Sequence, residues 1–357
     1  MKSGQRRAWV DIDLGALQRN ALSIAARAGV PILPMVKADA YGLGAIAVAR
    51  ALESVDPWGY GVATVEEGAE LRGAGITRRI LVFTPLDEGD LRHARLLSLT
   101  PALSHADTIR RWAQGGGAWH LAIDTGMSRA GIRWDDVHTL RDALLTFPPE
   151  GAFTHFHSAD RVDGSIELQE GRFRDAVAKL PSRPPVLHTE NGAAIEQRGR
   201  SPWDIARPGI FLYGVGCGGA IAPEPVVHLR SRVVDIRSLR DGETVSYLAS
   251  YRAVGERRIA TLAIGYADGV RRALSNRGSA LLNGVLAPIA GIVTMDMTMI
   301  DVTEVPACSV GDIATLIGTD SGKTLDVGGV AHTADLSPYE LLTGLRGRLH
   351  REYGDVG

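Results

Sequence analysis

From about residue 9 to residue 214 the chain alternates short apolar runs with amphipathic stretches, and beyond residue 222 that alternation stops. The strand candidates in the first part are 9–13, 32–36, 59–63, 80–84, 100–103, 120–124, 152–156, 186–189 and 209–213. Helical stretches at 14–27, 45–53, 65–73, 135–145 and 167–180 lie between them. In the first of these, Leu14, Leu17, Ala21 and Ile24 recur at helical spacing. About eight strand–helix units in roughly two hundred residues point to a (β/α)8 barrel, and a doubly wound open sheet is the alternative that pattern leaves open.

The second part reads as strands without intervening helices, at 228–239, 243–247, 258–264, 279–282, 285–289 and 312–316. Asn283-Gly284 between two of them is a strong hairpin signal. A final helix is expected over 338–349, with Ser337 as its N-cap. Glycine and proline concentrate in CGGAIAPEP, which sets the boundary near residue 222. The expected fold is therefore α/β: a TIM-type barrel over 1–222, followed by a mostly antiparallel β domain over 223–357.

Composition narrows the function classes. The chain carries 39 basic and 41 acidic residues, a net charge of −2, which gives no footing for a nucleic-acid partner. No apolar run reaches the length of a membrane span, and the start of the chain lacks the apolar core of an export signal. Cys217 and Cys308 have no metal-ligand spacing, so no metal is expected, and two free thiols suit a reducing cytoplasm.

In a barrel, the carboxyl ends of the strands converge on one mouth. Lys37 stands where the apolar run 30–36 stops and a turn begins. An amine desolvated there and facing a second positive group would have a lowered pKa and could form a Schiff base. Gly42 and Gly44 let the chain turn tightly into the next helix, whose N-terminus suits a phosphate. His155 ends another strand, HTENG with His188, Asn191 and Gly192 ends a third, and Arg207 introduces the last.

The string VKADAYG followed by Gly44 resembles the pyridoxal phosphate lysine motif of the alanine racemase family. The resemblance continues in order through WVDIDLGALQRN, IDTGMSRAG, FTHF, HTENG, RPGIFLYG, SYLASYRA, IGYADG and TMDMTMIDV, and covers nearly the whole chain. It implies a pyridoxal 5'-phosphate enzyme that interconverts L- and D-alanine with two bases, supplying D-alanine for peptidoglycan. Lys37 would hold the cofactor covalently and act as one base, and Tyr247 would be the other, with Tyr251 a packing residue. Tyr41, Gly192, Gly209 and Ile210 would surround the phosphate, His155 would lie by the pyridine ring, and Arg207 would bond its nitrogen. Arg129 and the backbone of Met295 would bind the substrate, beside Asp296, while Tyr266, Asp268 and Arg272 would line the entrance.

Because the two bases fall in different domains, the resemblance also implies a homodimer whose β domains each cover the partner's barrel. Four positions depart from the family pattern. Leu43 replaces a histidine, Gly192 a phosphate-binding serine, Ala122 a carbamylated lysine, and Gly347 a tyrosine over the substrate methyl. The last leaves a serine or broader amino-acid racemase as the second reading. An amino-acid decarboxylase of the same fold type is opposed by Arg207, and a cofactor-carrier protein by the second domain.

Overall fold

A computed structural model describes residues 6–354. Six strands, Gly59–Val62, Arg79–Val82, Thr100–Leu103, His120–Asp124, Gly151–Phe153 and Val186–His188, run parallel, each beside the one before. Residues 32–36 and 206–207 complete the ring through parallel bridges, Met35 to Gly61, Ile32 to Ala206 and Asn191 to Arg207. Backbone bonds from Leu33 N to Ala206 O at 2.7 Å and from Val36 N to Gly61 O at 2.9 Å hold the closure. The strands are short and buried on both faces, as Gly59–Val62 is throughout, which is how a parallel sheet covered by helices must read.

The helices outside the ring follow local signals. Leu14–Ala28 buries Leu17, Ala21, Ile24 and Ala28, starts on Asp13, whose carboxylate accepts from Ala16 N at 2.8 Å, and stops at Gly29 with φ 66°. Val65–Gly73 starts with a capping box between Thr64 and Glu67.

The second sheet runs in the order Val285–Pro288, Ser279–Leu282, Ile313–Asp320, Val227–Leu239, Ala8–Asp13, His350–Gly354. Off this path, Arg257–Leu262 pairs with Val227–Leu239 and with Thr298–Asp301. Asn283 and Gly284 form the expected hairpin turn, with φ 51° and 73°.

Three elements differ from the sequence expectation. The first strand, Ala8–Asp13, is not part of the barrel; it lies between Val227–Leu239, antiparallel, and His350–Gly354, parallel. The segment 209–213 is not a strand, since Ile210–Tyr213 is a turn of 3-10 helix and the last barrel pairings fall on Ala206 and Arg207. The final helix is only Pro338–Thr343, and Ser337 takes the N-cap backbone position without a side-chain bond. Gly347, at φ 73°, then turns the chain into the last strand.

Candidate active site

Lys37 begins a turn of unusual hand. Ala38, Asp39, Ala40 and Tyr41 have φ of 53°, 56°, 51° and 58°, a single left-handed helical turn made without glycine. Each such residue costs about 1–2 kcal/mol, so the surroundings must hold the turn. Glu67 does much of this, accepting from Ala38 N at 2.6 Å and Ala63 N at 2.7 Å. Asp39 accepts from Ala45 N at 2.8 Å, and Arg351, from the last strand, donates to Gly42 O at 2.8 Å. The helix Ala45–Leu52 is thus capped by Asp39, and its N-terminus is not part of the cavity wall, contrary to the phosphate site expected there.

A cavity of about 460 Å³ opens at the carboxyl ends of the barrel strands. Lys37, Tyr41, Arg129, His155, Gly192, Arg207, Gly209 and Ile210 all line it. Burial and the charge of Arg129 lower the Lys37 pKa, against a smaller upward pull from Glu67. His155 is held down at about 3 by burial, then by Arg207, Arg129 and Lys37, so its imidazole is neutral.

Arg207 is 3% exposed, and burial lowers its pKa to about 10, which leaves it charged at neutral pH. Nη1 donates to His188 Nδ1 at 2.7 Å and His188 O at 2.9 Å. Nη2 donates to Thr154 O at 2.7 Å and Thr189 O at 3.0 Å. A guanidinium has five N–H groups, so four are taken and Nε–H is left for a ligand in the cavity. His188, expected at the mouth, lies instead beneath Arg207 as its acceptor.

At the other side of the cavity, Gly192 opens the helix Gly192–Arg198 and Ile210 opens its 3-10 turn, so their amides have no acceptor inside those elements. A Cβ on Gly209 would clash with the Tyr41 hydroxyl, so glycine there lets the phenol approach the same edge. These donors suit an anion, and the amine and Nε–H suit an aldehyde and an aromatic nitrogen. The residues present therefore fit pyridoxal phosphate.

Arg129 makes no ion pair among the described residues, and Ala122 beside it offers no group to orient it. The other expected groups stand elsewhere in the single chain. Tyr247 is 69% exposed and Met295 53%, and neither lines the cavity. Leu248, Met297 and Tyr266 are exposed with them. Tyr251 donates to Asp301 Oδ2 at 2.8 Å and its phenol is pushed up to about 12, which fits a packing residue. Asp268 cannot line an entrance: it is fully buried, binding Arg7 Nη2 at 2.5 Å and Arg348 Nε at 3.2 Å. Arg348 also pairs with Asp296 at 2.7 Å.

Tyr339 is a cavity residue that sequence reasoning missed. Its ring lies 5.8 Å from that of Tyr41, and burial raises its phenol to about 12. Its only sequence signal was a place in the first turn after Ser337-Pro338, which says nothing about which cavity that turn meets.

Residues 12–216 match the family model for the alanine racemase N-terminal domain, and residues 226–353 that for the C-terminal domain. The chain is 36% identical over 364 residues to an alanine racemase of Citrifermentans bemidjiense, covering 95% of this chain and 96% of the relative. The solved alanine racemase of E. faecalis superposes with a TM-score of 0.91 at 30% identity, covering 98% of each chain. That of Bartonella henselae, solved with covalently bound pyridoxal phosphate, gives 0.90 at 28% identity over 98% of this chain and 99% of its own.

Proposed function

The chain belongs to the alanine racemase family, and on that premise we propose how its own residues exchange the Cα proton of alanine. The enzyme is a pyridoxal phosphate-dependent isomerase acting on a small amino acid. The bound cofactor supplies an electron-accepting ring that makes the Cα proton of the attached amino acid acidic.

Lys37 carries the cofactor and moves the proton on one face of the substrate. Its lowered pKa supports this, because an amine that holds its proton less tightly passes it more readily to and from Cα. The amides of Gly192, Gly209 and Ile210 and the Tyr41 hydroxyl bind the phosphate. Arg207 presents Nε–H to the ring nitrogen and keeps its proton, which limits electron withdrawal and favours proton exchange over transamination. Neutral His155 lies by the ring, and Arg129, with the Met295 backbone from a second copy of the chain, orients the substrate carboxylate.

Tyr247 serves the opposite face, from a second copy of the chain. Supporting this, its phenol is exposed together with Leu248, Tyr266, Met295 and Met297, a set of large apolar groups without cover in the single chain. The work then divides near residue 222, with 1–222 holding the cofactor and 223–357 supplying the second base to a homodimer. We place the enzyme in the cytoplasm, making D-alanine for peptidoglycan; among the described residues no helix is long and apolar enough to cross a membrane.

The observation that carries this reading is the single cavity onto which Lys37, Arg207 and the glycine-edged anion cradle all open. The test is L-alanine in heavy water with the purified protein: optical rotation should decay while deuterium enters Cα. Retained rotation without exchange would remove the proposal. A serine-accepting enzyme is the second reading, supported by the glycine at position 347, where the family pattern has a tyrosine over the substrate methyl; serine in the same assay tests it.

A further inference from the structure

Beneath Arg207 lies a run of polar groups, two buried histidines and the part-exposed Glu150, that proton exchange at Cα does not use. Nε2 of His188 meets Nδ1 of His120 at 2.8 Å. Nε2 of His120 then faces Oε2 of Glu150 across 3.6 Å, and neither of these two atoms has a closer hydrogen-bond partner. Both imidazoles are completely buried, and none of the three residues lines the cavity. The barrel makes room for them: a Cβ on Gly151 would sit 2.5 Å from His120 Nδ1. Trp58 packs on the His120 ring edge at 5.7 Å, and Arg79 pairs with Glu150 at 3.4 Å.

The proton positions in this run follow from its first member. A guanidinium only donates, so His188 Nδ1 beside Arg207 Nη1 must be an unprotonated acceptor. The His188 proton is then on Nε2 and is donated to His120 Nδ1. His120 in turn carries its proton on Nε2, toward the Glu150 carboxylate. Burial lowers the pKa of both imidazoles, against an upward pull from Glu150 on His120, and Arg207 adds to the lowering at each ring. Reversing the order would set a His188 Nδ1–H against an Arg207 N–H and push the guanidinium away.

We propose that His188, His120 and Glu150 form a positioning relay, in which the carboxylate ahead of strand Gly151–Phe153 orders the histidine tautomers and so fixes Arg207 with only Nε–H offered to the cofactor. The relay rests on the reading of Arg207 as the partner of the ring nitrogen. It makes a residue at the amino end of the barrel strands a determinant of chemistry at their carboxyl end.

The test uses the holoenzyme. Nitrogen NMR of histidine-labelled protein should find two neutral imidazoles protonated at Nε2, and an Nδ1 proton on either overturns the relay. His120→Leu should move the cofactor's visible band and lower kcat about tenfold with KM for alanine unchanged. His120→Asn, whose side-chain oxygen can stand where Nδ1 stood, should restore both; equal behaviour of the two variants overturns the proposal. Should His120→Leu fail to fold, Glu150→Ala decides: it should move the band in the same direction, and an unmoved band counts against the relay. Arg207→Lys separates the two levels, since a band unmoved there refutes the role of Arg207 itself.

Discussion

The Tyr41 hydroxyl occupies the space that a Cβ on residue 209 would need, so the phenol and the Gly209 amide reach the cavity edge together only because residue 209 is glycine. Gly209→Ala should displace Tyr41 and cost about 1–3 kcal/mol at the anion cradle, roughly fivefold to 150-fold in cofactor affinity. Titrating the apoenzyme with pyridoxal phosphate measures it, and unchanged affinity would place the phosphate elsewhere.

Gly192 is the opposite case. A Cβ there would meet nothing closer than Phe211 Cβ at 3.6 Å, an ordinary contact. Gly192→Ser should therefore fold normally and add a hydroxyl to the cradle, tightening cofactor binding by about 0.5–1.5 kcal/mol. Slower release of cofactor on dialysis is the expected outcome.

The left-handed turn after Lys37 predicts a split between stability and activity. Ala38 is exposed at φ 53° and contributes only its amide to Glu67. Ala38→Gly relieves about 1–2 kcal/mol of strain against about 0.5–1 kcal/mol of added chain entropy. Urea unfolding should find the variant slightly more stable, while kcat falls because the neighbouring lysine is held less firmly. A less stable variant would contradict the account.

Acid should destabilise the protein through its buried histidines. His155 has a folded pKa of about 3 against an ordinary value of 6.5. The unfolded chain thus binds a proton through that window that the folded chain does not. Stability is full above 6.5 and lost as pH falls toward 3, at about 1.4 kcal/mol per pH unit for each such proton. Burial lowers His120, His188 and His228 in the same sense. His155→Gln should reduce the acid slope by about one proton, read from denaturation curves across the window.

The proposed sharing of the site between two copies makes a complementation prediction. Lys37→Ala and Tyr247→Phe should each be nearly inactive as homodimers. Mixed under subunit exchange, half of the dimers are hybrids and one of their two sites has both bases, so about a quarter of the wild-type activity should return. No recovery with exchange demonstrated would show a site built within one chain.

What the sequence determined by itself is what depends on near neighbours. The helix Val65–Gly73, with its Thr64–Glu67 capping box, and the Asn283-Gly284 hairpin are fixed within a few residues by side-chain caps and by residues that tolerate positive φ. The apolar runs announced the barrel because a strand buried on both faces has to be apolar wherever its partners come from. Lys37 was legible for a related reason, as a polar group set where such a run ends.

Tertiary structure decided what depends on which distant groups meet. Ala8–Asp13 would suit either sheet, and only pairing with Val227–Leu239 and His350–Gly354 assigns it to the second. Nothing near Ala38 in sequence calls for a left-handed turn; Glu67 and Arg351, far along the chain, hold it and its neighbours. His188 became a support for Arg207 and not a wall of the cavity, and Asp268 a buried anchor and not a gate, because each met a guanidinium there. Tyr339 joined the cavity through packing on Tyr41, while Tyr247 stayed on the surface. A side chain's type states what bonds it can make, but the free energy of making them is settled only when the fold has removed water and supplied the partner.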